Sequence, residues 1–169
     1  MGPVRYRPDE RRPVDTTDHD ARRRRAHELV DRLQDRLLAH DMTGFAGLWA
    51  PDGTADFPFA PPGWPRPRGR EEIRAYVAGY NELVLPREIV HQTRHETGDP
   101  DTLVLEWGVA GTVTATGAPY RLDYVVVITC GAEGVVSYRD YWSPSAVERA
   151  LGGPMEPAAF GGAAQGSPA

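Results

Sequence analysis

Apolar residues recur at Ala26, Leu29, Val30, Leu33, Leu37 and Leu38, the three-to-four spacing of a helix that buries one face, and Asp18 or Asp20 is placed to cap its start. Asp41 followed by Met42, Phe45, Leu48 and Trp49 predicts a second, short helix ended by Pro51-Asp52-Gly53. A strand from Thr54 to Phe57 follows, then a Pro-rich loop carrying Phe59 and Trp64. Glu71 to Leu83 predicts a third helix with Ile73, Tyr76, Val77 and Tyr80 on one side. After Pro86 the pattern changes. Glu88 to Glu96, Thr102 to Val113, Tyr120 to Cys130 and Val135 to Trp142 are rich in Val, Thr, Tyr and Trp and are separated by Gly- or Pro-containing turns, as strands are. Helices first and strands second predict an α+β fold with helices on one face of an antiparallel sheet. Residues 1–19 mix Pro, Arg and Asp without an apolar period and read as a disordered or loosely attached arm. Residues 152–169 read as a disordered Gly/Pro/Ala tail, which leaves 20–151 as a single domain.

Composition narrows the function classes. The chain has 169 residues, 40% hydrophobic and 25% charged, which is ordinary for a globular protein. No apolar run approaches the roughly 18 residues of a membrane span. Its net charge of -5 argues against a general nucleic-acid binder, which needs a basic face. The single Cys130 excludes an intrachain disulfide framework and a multi-Cys zinc site. All 19 basic residues are Arg, so Schiff-base chemistry and lysine-anchored pyridoxal phosphate are excluded. The opening Met-Gly-Pro-Val-Arg lacks the apolar core of a secretory signal, and a cytoplasmic location is expected.

Three segments carry a family resemblance. Leu48-Trp49-Ala50-Pro51-Asp52-Gly53 leads to a short strand and Phe57-Pro58; Gly69-Arg70-Glu71-Glu72-Ile73 opens a helix; Tyr138-Arg139-Asp140-Tyr141-Trp142 lies on the last strand. In order and spacing they resemble the SnoaL-like polyketide cyclases, within the group that shares the ketosteroid isomerase and nuclear-transport-factor fold. The resemblance implies a cone-shaped, curved antiparallel sheet wrapped around N-terminal helices and enclosing a cavity, with a homodimer across the convex face. It also implies secondary-metabolite chemistry on a hydrophobic or polycyclic small molecule, without a cofactor.

The fold hosts enzymes and binding modules alike, so the residues must decide. Where ketosteroid isomerases carry a tyrosine and a proton-moving aspartate, this chain has Leu33 and Phe57, which excludes that constellation. The isomerase's other donor falls at or near Asp123. Limonene epoxide hydrolase has a similar last strand, whose acid matches Asp140, but its Arg-x-Asp pair falls on Trp107 and Val109. Arg121-Leu122-Asp123 is the triplet that could rebuild such a relay. The phenazine-biosynthesis A/B proteins carry a Glu at the Asp140 place, and His95 to Pro100 resembles one of their turns.

Alternation puts Asp140 on a face with Val136, Tyr138 and Trp142. On the concave face, desolvation would raise its pKa and make it a general acid or base; on the outer face it would pair with a surface Arg. Whether Asp123 joins it depends on the turn from Cys130 to Gly134: a two-residue loop puts both acids on one face and a three-residue loop separates them. His91 is a candidate proton shuttle or a structural histidine, and no acid accompanies His91 and His95 at a metal spacing, so no metal is expected. Phe57, Phe59, Trp64, Tyr76, Tyr80, Trp107, Tyr138 and Trp142, with Arg121, are the candidate substrate contacts, Trp64 as a lid. The run Arg22 to Arg25 reads as a solvated helix start. Three functions remain open: an acid–base cyclase, isomerase or dehydratase using Asp140; an epoxide-opening enzyme using Asp140, Arg121 and Asp123; and a binding module without catalysis.

Overall fold

The computed structural model describes residues 16–154, so most of the expected arm and tail lies outside the described residues. Helix α1 spans Thr16–Leu38 and begins inside the expected arm. Its apolar stripe is buried as the periodicity predicts, with Ala26, Leu29, Val30, Leu33 and Leu37 in the main core. The arginines at its start are not merely solvated. Arg22 and Arg25 both bind the carboxylate of Asp101, and Arg23 reaches Glu96 and the carbonyl of Thr97, which latches α1 to the turn after the second strand.

Helix α2 (Met42–Ala46) is capped by Asp41, whose side chain accepts from the Gly44 amide. It stops before Leu48, and Trp49 opens strand β1 (Trp49–Asp56) instead. Pro51-Asp52-Gly53 is therefore no simple turn but a bulge within β1. The register moves from Trp49↔Val135 to Thr54↔Ser137, five residues along β1 against two along its partner. The expected third helix is two, α3 (Arg70–Val77) and α4 (Tyr80–Leu83), broken at Ala78-Gly79.

Strands β2 (Val84–Glu96), β3 (Thr102–Val113), β4 (Pro119–Gly131) and β5 (Gly134–Trp142) pair antiparallel in sequence. The sheet order is β1-β5-β4-β3-β2, and β1 runs parallel to β5, so the sheet is mixed rather than wholly antiparallel. Pro86 is tolerated in β2 because that strand is an edge. One element was not anticipated: helix α5 (Pro144–Leu151), capped by Ser143 Oγ on the Ala146 amide and ended at Gly152, whose φ of 76° suits glycine. Val147 of α5 packs with Trp64, Tyr120, Leu122 and Trp142 in a second core cluster. The helices thus pack on the face of the sheet that carries the two buried clusters. No helix among the described residues is long and apolar enough to cross a membrane.

Candidate active site

Between the helices and the sheet lies a cavity of about 140 Å³. Its wall is built by all five strands' neighbours: Phe57 and Trp64 after β1, Tyr76 of α3, Tyr80 of α4, Trp107 of β3, Tyr124 of β4 and Tyr138, Asp140 and Trp142 of β5. The aromatic rings fix one another. Phe57 stacks on Tyr76 at 4.9 Å between centroids, Trp64 meets Trp142 edge-on at 5.2 Å, and Trp107 leans on Tyr124 at 5.8 Å. Trp64 Nε1 also donates to the Tyr76 hydroxyl at 3.0 Å, so the indole expected at the mouth is a packed wall with 8% of its surface exposed.

Asp140 is the only charged side chain among the residues lining this cavity. It pairs with Val126 in the β4–β5 ladder, and Val126 is fully buried, so the alternation of both strands aims the carboxyl inward. Oδ1 is buried with no hydrogen-bond partner among the described residues. Loss of water around the carboxyl raises its pKa from 3.8 to about 7. Burial also raises the hydroxyl pKa of Tyr76, Tyr80, Tyr124 and Tyr138, and the Asp140 charge adds to the rise in each. Asp140 is therefore the group near this cavity that changes protonation state around neutral pH.

The other two candidate proton movers lie elsewhere. Asp123 is opposite Gly108 on the outer face of the sheet, and its Oδ1 is 2.8 Å from His91 Nε2, with both side chains half-exposed. The β4–β5 loop does have two residues, Ala132 and Glu133, between Gly131 and Gly134. A register shift next to Cys130 then makes Val136 an extra residue on β5 and turns Asp140 to the face opposite Asp123. The same shift removes Val136 from the Asp140 face; it is 43% exposed. Arg121 points outward with 59% of its side chain exposed, beside Asp123 at 3.9 Å. The Asp140–Arg121–Asp123 relay of an epoxide-opening enzyme is thus not assembled. Phe59 is also outside, 64% exposed and edge-on to Tyr141 at 5.3 Å.

Candidate wall residues Phe57, Trp64, Tyr76, Tyr80, Trp107, Tyr138 and Trp142 do come together, and the sequence reading missed Tyr124, Phe45 and the α5 residues Val147 and Leu151. Tyr124 alternates with Leu122 and Val126, which face inward, but the intervening Val125 and Val127 gave the strand two apolar sides. Cys130 is buried, and loss of solvent pushes its thiol up to about 12, away from nucleophilic use. Among the described residues no three His, Cys, Asp or Glu side chains gather as metal ligands.

A mixed sheet closed by helices around one aromatic cavity, with a lone enclosed carboxyl, defines a protein of the ketosteroid isomerase and nuclear-transport-factor fold. The chain belongs to the family described as SnoaL-like domain, whose pattern matches residues 30–139. It is 38% identical over 120 residues to an uncharacterized PhzA/B-like protein of Pseudomonas aeruginosa, covering 70% of this chain and 84% of the relative. A solved Bacillus subtilis protein provisionally named an isomerase is 32% identical with a TM-score of 0.75, over 79% of this chain and 97% of that one. More distantly, a nuclear-transport-factor-like protein from Burkholderia xenovorans shares the fold at 21% identity and a TM-score of 0.59, over 76% and 96% of the two chains.

Proposed function

We propose that this chain is an acid–base enzyme of the cyclase, isomerase or dehydratase kind, acting on a small hydrophobic molecule in the cavity with Asp140 as the proton mover. The observation that carries this reading is the placement of one carboxyl, with its pKa raised to about 7, as the sole charged group of an otherwise apolar and aromatic wall. As a carboxylate, Asp140 takes a proton from a carbon next to a carbonyl; as the acid so formed, it returns that proton to another position. Each of the three reaction kinds needs such a transfer away from water. The SnoaL-like assignment and the provisional isomerase name of the Bacillus relative support the same class.

The test uses 2-tetralone in heavy water, with exchange of its α-protons followed by NMR. The wild type should accelerate exchange, more at pH 8 than at pH 5, and Asp140→Asn should lower the acceleration at least a hundredfold. Equal rates for the two proteins would overturn the proposal in favour of a binding module.

A further inference from the structure

The chain contains 19 arginines, and its other well-placed carboxylates draw on them. Asp101 is held by Arg22 and Arg25, and Asp56 by Arg66 and Arg68. Asp140, partly buried in the cavity wall, has no arginine or histidine beside it there. The groups packed around it from α3, α4, β4 and β5 are Tyr76, Tyr80, Tyr124 and Tyr138, all neutral across the physiological range because burial raises their hydroxyls. Just after β1 the wall carries Phe57, while Asp56 is turned to Arg66 and Arg68. An anion would find no positive charge in this wall, only neutral donors such as the unpartnered Trp107 indole N–H, and it would meet Asp140 besides. A cation would find both a carboxylate and aromatic rings, whose π faces attract positive charge in a water-poor space.

We propose that the cavity selects a compact organic ammonium group, held against Asp140 by charge and against the surrounding tyrosine and tryptophan rings by cation–π attraction. This names the substrate class for the acid–base reading above and rests on the same placement of Asp140. A substrate with a basic nitrogen brings the counter-charge that the wall lacks. Its positive charge favours the ionised form of Asp140, so any proton the acid holds is released to water and the carboxyl stands as a carboxylate when the substrate is bound. Neutral analogues of the same shape give the carboxylate no counter-charge and the rings no charge to attract.

The experiment compares choline with its uncharged carbon isostere, 3,3-dimethylbutan-1-ol, by titration calorimetry. At pH 8 the wild type should bind choline at least tenfold more tightly than the isostere, and the preference should shrink at pH 6 as Asp140 takes up its proton. Asp140→Asn should lose the preference while still binding the isostere, which shows that its cavity is intact. A wild type that binds the isostere as tightly as choline, binds neither, or keeps its preference in the Asn variant overturns the proposal. The 2-tetralone exchange separates the two readings: exchange that depends on Asp140 without a choline preference sinks the ammonium assignment alone. A choline preference without exchange sinks the enzyme and leaves an ammonium-binding module.

Discussion

The imidazole of His91 and the carboxylate of Asp123 meet 2.8 Å apart directly over Gly108, on the outer face of the sheet. A methyl group at Gly108 would stand 2.6 Å from His91 Nε2 and 2.7 Å from Asp123 Oδ1, so the glycine makes room for the pair. Both contacts are the ends of exposed side chains that can swing away. Gly108→Ala should therefore break the pair at a cost below about 1 kcal/mol. Gly111→Ala, whose methyl would lie 2.1 Å from the Leu85 carbonyl oxygen and 2.9 Å from the Tyr120 ring, must displace backbone and should cost about 2–3 kcal/mol. Urea unfolding of the two variants checks the contrast, and equal losses would refute it.

Stability should depend on the protonation of Asp140. Its pKa is raised in the folded protein, so the folded state holds the proton more tightly than the unfolded chain. The penalty is absent below pH 4, grows between pH 4 and 7, and is complete above that, reaching up to ~4 kcal/mol. Asp140→Asn should thus melt several degrees higher than the wild type at pH 8 and nearly level with it at pH 4. A difference in melting temperature that does not vary with pH would show that the carboxyl is not strained by burial.

The latch between α1 and the β2–β3 turn should titrate in the opposite sense. Hydrogen bonding from Arg22 holds the Asp101 carboxyl below its usual range, with the charge of Arg22 and Arg25 adding to the effect. Its contribution is present above the unfolded pKa of about 3.9 and is lost as pH falls through the lower folded value. Asp101→Asn should lower the urea midpoint at pH 6, and the gap to wild type should narrow at pH 3. A gap that widens in acid would contradict this assignment.

Removing Val136 should be tolerated nearly as well as changing it. Val136→Thr alters a side chain that is 43% exposed and should be nearly silent, within about 0.5 kcal/mol. Deletion of Val136 takes out the bulged residue and brings Val135 and Ser137 together as neighbours opposite Cys130 and Thr129, so residues 137–142 keep their pairing with β4 and Asp140 stays opposite Val126. Circular dichroism melting should show a cooperative transition for the deletion; its loss would mean that the pairing of β5 with β1 requires the bulge.

What could be read in the sequence was what local periodicity writes down. Helix α1 was legible because Leu29, Val30, Leu33 and Leu37 repeat at helical spacing on a polar background. Most of the aromatic wall was legible because large rings must go inside somewhere. The face of Asp123 was not, since β4 is apolar on both sides and the deciding event is a one-residue bulge in another strand. Strand β1 hid behind Pro51-Asp52-Gly53, whose turn chemistry serves a bulge against a parallel partner far along the chain. Helix α5 is a different case: Ser143-Pro144 is a plain helix-start signal, with Val147 and Leu151 one turn apart, and it went unread behind the strand pattern.

Val136 gives the cavity an unusual kind of control. The sequence offers two aspartates on neighbouring strands, and a single bulged residue sets them on opposite faces, one turned to the cavity and the other left to a histidine at the surface. The Gly131↔Gly134 register carried on without that bulge would set both acids on one face, so the solitude of the interior carboxyl is a matter of spacing and not of how many acids the strands carry.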